Sequence, residues 1–432
     1  REAALLVADQ PYRDTTLDEI QHAIYAMGSF STVNVEPILR EGSSVVDVRI
    51  RVTPHDKPSF SFGTGIQSGL LDQVSETISV PQWDVHFLAA YEDKTFLDGL
   101  RRLRVEDRPR LIIQEPFPQW TTPRLGNLLK TEFVQAGFLE PRTELTNDNT
   151  WDYGPDPFDT FFRHQLGFHV GLRRRFLDQR VMLSGGVCEH IMVVPEGEER
   201  FDGTPAPADH HLTCLQEELT VDLRDDSNRP HGGAYAGVHF QQAGLQVLPS
   251  SWDYLRVVPE LRGYIPLPYR ITIASRIKLG VMEILGADSD LDTLSAQLGP
   301  RYYRLRGGGA NSNRGFFPGE LGDGPEGGLR RWELSVELRL PITETVGFVT
   351  FWDMGDVNRG KTFRLDHPQA SVGGGLRVHT IAGAIRLDVG YRIADLQVID
   401  GPDERILQSR SDVDLGFISF PGAIHITIGE TY

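Results

Sequence analysis

Trp332-Glu333-Leu334-Ser335-Val336-Glu337-Leu338-Arg339-Leu340 alternates apolar and polar side chains without a break. Successive side chains of a strand point to opposite faces, so this stretch has one apolar and one charged face. The same pattern recurs outward along the chain. Ile271, Ile273, Ile277 and Leu279 alternate with Thr272, Ala274, Arg276 and Lys278. Leu166, Phe168, Val170 and Leu172 face away from Gln165, Gly167, His169 and Gly171. Ile385, Leu387, Val389 and Tyr391 oppose Arg386, Asp388, Gly390 and Arg392. Strands of a soluble sandwich usually run about 5–6 residues. These run toward the roughly 9–11 needed to cross a bilayer at a tilt. The expected arrangement puts the apolar face against lipid and the charged face in a lumen.

Composition agrees with a membrane barrel and excludes other classes. No apolar run reaches the roughly 18 residues of a transmembrane helix. Mean hydropathy is −0.27, because only alternate residues of a barrel strand face lipid. The net charge of −17, from 60 acidic and 43 basic residues, argues against nucleic acid as a partner. Cys188 and Cys214 fall on what read as neighbouring strands, where either a disulfide or two unpaired thiols would fit. The opening residues Arg1-Glu2-Ala3-Ala4-Leu5-Leu6 are not a charged-then-apolar leader. An exported chain would have lost its leader, and further sequence is expected upstream of so abrupt a start.

Two units follow. Residues 1–56 read as mixed α/β. Thr15 or Thr16 would cap a helix carrying Leu17, Ile20, Ile24 and Met27, with Gly28 ending it. Phe30, Val33 and Val35 open a strand, Gly42-Ser43-Ser44 marks a turn, and Val46, Val48, Ile50 and Val52 alternate in a second strand. Residues 57–432 read as strands to the end, roughly sixteen of them. Two strands are expected within 97–120. Long polar loops are expected at 140–160, 195–209, 284–330 and 357–370, alternating with tight turns. The predicted fold is a mainly β, sixteen-stranded antiparallel transmembrane β-barrel behind a partial α/β domain.

Four motifs resemble the BamA/TamA superfamily of outer-membrane assembly factors. The ending Ile428-Gly429-Glu430-Thr431-Tyr432, with Ile424, Ile426 and Ile428 on one face, looks like the C-terminal recognition strand of outer-membrane barrels. Arg301-Tyr302-Tyr303-Arg304-Leu305-Arg306-Gly307-Gly308, leading to Asn313-Arg314-Gly315-Phe316, resembles the family's long loop with its Val/Ile-Arg-Gly-Phe/Tyr tip; Asn313 departs from that pattern. Asp222-Leu223-Arg224-Asp225 with Pro230 and Gly233 is similar to a family hairpin. Gly28-Ser29-Phe30-Ser31-Thr32-Val33-Asn34-Val35 resembles the end of a POTRA domain, which makes residues 1–56 the C-terminal part of one. The resemblance implies that the 284–330 loop folds into the lumen and that Arg314, Gly315 and Phe316 meet acidic wall residues, here Glu337 and Asp353. Glu337 lies opposite the apolar face of its strand, as that requires. An arginine there can form two-pronged, charge-assisted bonds to a carboxylate.

The implied function is insertion or translocation of unfolded outer-membrane clients, either TamA-like or BamA-like. The POTRA remnant would sit in the periplasm of a Gram-negative bacterium, open to periplasmic or inner-membrane partners, and the barrel among outer-membrane lipids. The barrel would close weakly between its first strand, with Phe60, Phe62, Gly63 and Gly65, and its last, with Ile424, Ile426, Ile428 and Tyr432. Interior glycines weaken a strand. A two-partner secretion translocator and a passive porin are the alternatives. No catalytic role is expected: the chain has neither Gly-x-Ser-x-Gly nor His-Glu-x-x-His. Gly63-Thr64-Gly65-Ile66-Gln67-Ser68-Gly69 lies in a strand and opens no helix, so no nucleotide is expected. His210 and His211 point opposite ways, so no metal is expected.

Overall fold

A computed structural model describes residues 14–428 apart from 26, 29, 40–44, 56–57, 74–75, 98, 115–120, 141, 178, 246–247, 381–382, 398–411, 415 and 417. The 42–44 turn and Tyr432 lie outside these residues. The N-terminal unit packs helix α1 (Asp14–Tyr25) on an antiparallel pair, β1 (Phe30–Ile38) and β2 (Asp47–Pro54). Ile20, Ile24, Val33 and Val35 form its core, with Leu17, Phe30, Val48 and Ile50 against it. The described part of the helix begins at Asp14, so Thr15 and Thr16 lie within it rather than at its cap position. Gly28, at φ 71°, ends it by donating its N–H to the Tyr25 carbonyl at 3.0 Å.

The rest of the chain forms one antiparallel sheet of 16 strands in sequence order. These are β3 (Ser59–Gln73), β4 (Glu76–Asp93), β5 (Arg101–Gln114), β6 (Arg124–Ala136), β7 (Thr143–Pro155), β8 (Phe162–Phe176), β9 (Val181–Val193) and β10 (His210–Asp222). There follow β11 (Gly233–Ala243), β12 (Trp252–Pro266), β13 (Thr272–Ala287), β14 (Arg330–Pro341), β15 (Val346–Asn358), β16 (Gln369–Thr380) and β17 (Gly383–Gln397). A two-stranded pair, β18 (Val413–Asp414) with β19 (Ser419–Phe420), precedes the last strand, β20 (Gly422–Ile428). Each strand pairs with its sequence neighbour, β17 with β20. The sheet curls until β20 approaches β3 within 8 Å between Cα atoms. Among the described residues no backbone ladder joins these two edges. No helix is long and apolar enough to cross a membrane, which says nothing of a β-barrel.

Two expectations about the strands need correction. Among the described residues, 97–120 holds one strand, β5. The sixteenth strand is β7, within the stretch expected to be a polar loop. Its outward face carries Asn147 and Asn149, paired across the sheet with the exposed Val170 and Phe168 of β8. These amides break the apolar alternation. They satisfy each other instead: Asn149 Nδ2 donates to Asn147 Oδ1 at 2.9 Å and to Thr131 Oγ1 at 3.0 Å. Asn147 Nδ2 reaches the His169 carbonyl at 3.1 Å. On the neighbouring strands Asn127 donates to Asp107 at 2.8 Å.

Most connections at one end of the sheet are tight, as between β14 and β15 at residues 342–345, with 223–232 the longer exception. At the other end run long ones at 194–209, 288–329 and 359–368. The longest holds helix α2 (Thr293–Leu298), which was not foreseen. Cys188 of β9 and Cys214 of β10 stand directly opposite in register and are joined as a disulfide.

Candidate functional site

Register builds the inner wall beneath the long insert. Arg276 of β13, Ser335 of β14, Asp353 of β15, Ser371 of β16 and Arg392 of β17 are consecutive cross-strand partners. A second row, two residues along each strand, runs Glu337, Phe351, Gly373, Gly390 and Ala423. The other parity of β14, with Leu334, Val336 and Leu338, faces outward. The charged face of the opening stretch therefore lies under the insert.

The insert lays Arg314 between these rows. Its Nε and Nη2 both donate to Asp353, at 2.8 Å each, and its backbone N–H adds a third bond to Asp353 at 3.0 Å. Nη1 donates to Glu337, and Nη2 also meets Ser335 Oγ at 3.3 Å. The guanidinium lies 3.6 Å from the centre of the Phe351 ring. That ring leans over Gly373, where a Cβ would lie 2.3 Å from it. Arg314 is fully buried, and Glu337 and Asp353 are 1% exposed. Burial works against the guanidinium's charge. Asp353 and Glu337 more than offset this and hold its pKa well above the ordinary value.

Residues beside Arg314 fix the tip to later strands. Gly315 donates to Ser371 Oγ at 3.1 Å, and a Cβ on Gly315 would lie 2.4 Å from that of Ser371. Phe316 is fully buried with Leu321 and Val357. Asn313, where the family pattern has an aliphatic residue, donates to the Gln369 carbonyl at 2.8 Å and accepts from Ser371 Oγ at 2.6 Å. Gly390 of β17 lets the Arg314 carbonyl pass; a Cβ there would lie 2.2 Å from that oxygen. His425 Nε2 on β20 lies 3.2 Å from the same carbonyl. Sequence reasoning missed Ser335, Phe351, Ser371, Gly390 and His425. Only the shared parity of Ser335 with Glu337 gave any signal.

A second anchor was also missed. Leu298, Tyr303, Leu305 and Leu329 of the insert pack on Trp252, Tyr254, Met282 and the Cys188–Cys214 bridge, forming a buried apolar core on the inner face of β9–β13. Tyr303 Oη lies 2.6 Å from His190 Nε2. Asp292 caps α2, accepting the Ser295 N–H at 2.9 Å.

Residues 124–417 match the model of the Omp85 superfamily domain. The chain belongs to the Omp85 superfamily. BamA from Haemophilus ducreyi lacking POTRA domains 1–3 is similar in fold, with a TM-score of 0.61 at 15% identity over 92% of this chain and 79% of that one. CdiB from Acinetobacter baumannii is similar too, at 0.55 and 10% identity, covering 92% of this chain and 68% of that one. Among curated proteins no sequence matches.

In this Omp85 chain the residues assigned to a seam, Tyr432 aside, occupy the two sheet edges. Phe60 and Phe62 of β3 are 70% and 71% exposed, Phe60 tilted against Tyr91 and Phe62 stacked on Phe87 of β4. Gly65 lies under the His86 ring, where a Cβ would come within 2.6 Å of it. Nothing lies within 4 Å of a Cβ on Gly63. Ile424 and Ile426 pair with Val389 and Leu387, and Ile428 with Ile385, on the outward face of β17.

Proposed function

We propose that this Omp85 chain is an outer-membrane insertase, its sheet a transmembrane barrel with a weak seam and residues 1–56 the C-terminal part of a periplasmic POTRA domain. The edges of β3 and β20 carry the reading. They lie close, yet no ladder joins them among the described residues. Unpaired strand edges recruit further strands through their backbone groups. A client strand can add to either edge and leave into lipid, in the manner of β-augmentation. The work is non-covalent and calls for no nucleotide or metal.

Within this reading Arg314, with Gly315 and Phe316, locks the insert to Glu337 and Asp353 and thereby holds the wall that ends in β20. The insert also crowds the lumen from β13 to β20, which disfavours a passive porin. The proposed clients are unfolded outer-membrane proteins, and the surrounding lipids are those of a Gram-negative outer membrane.

Reconstitution into liposomes tests the reading. The insertion rate of a urea-unfolded small outer-membrane protein should rise over empty liposomes and fall in Arg314→Ala. Steady ion conductance without acceleration would point to a secretion translocator or porin instead.

A further inference from the structure

A cavity of about 570 Å³ opens at the end of the sheet that carries the long connections. One wall is the insert, with Arg301, Tyr302 and Tyr303. The opposite wall is the 194–209 connection and the short 156–161 turn, with Arg200 and Asp159. Trp252 and His210 close part of the floor. The volume falls within the roughly 300–1,000 Å³ of small-molecule sites.

The chemistry of the walls narrows the ligand. The buried and half-buried charged groups are already paired, and Asp202, Asp290 and Asp292, exposed to solvent, accept from neighbouring hydroxyls and N–H groups. Asp159 takes Arg200 Nε at 3.0 Å and Arg301 Nη1 at 3.0 Å, so it ties the two walls together. Asp156 holds Arg163 at 2.9 Å, and Glu326 holds Arg304 at 2.8 Å. A phosphate or an ammonium group reaching these pairs would have to displace a partner, which is costly where the pair is buried, as Asp156–Arg163 is. Their positions are fixed, however, and their remaining lone pairs and N–H groups can still meet hydroxyls. Between them stand aromatic rings. Tyr302 is set edge-on to Tyr303 at 5.2 Å and to Phe158 at 6.2 Å, and His210 is edge-on to Trp252 at 4.9 Å. Rigid rings offer flat apolar faces, and fixed polar pairs offer hydroxyl partners. That combination suits a molecule with C–H faces and many hydroxyls and no net charge.

We infer that this cavity is a binding site for a neutral glycan, held between Tyr302 and the Arg200–Asp159–Arg301 bridge. The inference stands apart from the insertase reading, since it needs only the insert docked as described. Such a glycan has two sources, the sugar portion of an outer-leaflet glycolipid or a free oligosaccharide.

Saturation-transfer difference NMR on the full chain in a polyoxyethylene detergent tests it. The probes are maltotriose, a neutral oligosaccharide cleaved from lipopolysaccharide, tetramethylammonium chloride and inorganic phosphate. Transfer to at least one saccharide is expected, falling at least fivefold in Tyr302→Ala and surviving in Tyr302→Phe, which keeps the ring. Transfer only to the cleaved oligosaccharide assigns the glycolipid source, and transfer to maltotriose the free one. No transfer to either saccharide, equal transfer in Tyr302→Ala, or preference for phosphate or tetramethylammonium would overturn the inference. Liposome insertion by Tyr302→Ala should match wild type, which separates failure of this site from failure of the insertase.

Discussion

Replacing Arg314 by methionine removes the guanidinium while keeping much of the side chain's length. Asp353 and Glu337 then remain 1% exposed with their principal cation gone; Arg339 still reaches Glu337 at 3.0 Å, but Asp353 keeps only hydroxyl and backbone donors. Removing one partner from a buried pair costs about 3–5 kcal/mol, mostly the penalty of the stranded charge. With about 1.4 kcal/mol per factor of ten, the detached tip should become roughly a hundredfold to several thousandfold more populated. Hydrogen exchange of peptides over 307–318 reports this directly, since the Arg314 and Gly315 amides donate to Asp353 and Ser371 of the wall only while the tip is docked. The apolar anchor on β9–β13 does not involve Arg314, so peptides over 298–305 should keep their protection. A change below tenfold over 307–318 would refute the energetic argument. Equal loss of protection over 298–305 would refute the independence of the two anchors.

Other perturbations separate the remaining parts. Gly390→Ala puts a Cβ 2.2 Å from the Arg314 carbonyl, a backbone obstacle no rotamer relieves; it should cost about 1–3 kcal/mol and loosen the same 307–318 peptides. Replacing Asn147 and Asn149 together by leucine should raise the temperature at which the barrel loses its folded gel mobility, whereas either single change strands the partner amide and should gain less. Asp292→Ala should cost about 0.5–2 kcal/mol of α2 stability through the lost cap. Backbone and hydroxyl bonds from Ser295 hold the Asp292 pKa below its usual value against the opposing effect of burial. Its contribution is therefore complete above the ordinary aspartate range and fades as pH falls through the lowered pKa, a dependence that exchange over 292–299 should show and Asp292→Ala should abolish. Serine at both Cys188 and Cys214 should cost about 2–4 kcal/mol, read as a lower unfolding midpoint that reductant does not lower further.

The strands were legible because period-two alternation survives wherever one face meets apolar surroundings, as at Trp332–Leu340 and Ile385–Tyr391. It failed at β7, where Asn147 and Asn149 interrupt the outward face and bond to each other. Helix α2 was invisible for a different reason: six residues are too few for a 3.6-residue period to show. At the tip, the family resemblance of Arg314-Gly315-Phe316 and the parity of Glu337 are the local marks the sequence carries. Phe351, Ser371, Gly390 and His425 did not stand out. Their role depends on register between strands tens of residues apart, which fixes who stands opposite whom and leaves no local mark in the sequence.

In the proposed function, clients pass through the gap between β3 and β20. Cysteines at Phe62 and Ile426, both outward and exposed, can be joined by a flexible, reducible thiol crosslinker in a chain carrying serine at Cys188 and Cys214. In liposomes the joined protein should stop accelerating client insertion and recover when the linker is cleaved. Insertion that continues undiminished across the crosslinked edges would rule out passage through this gap.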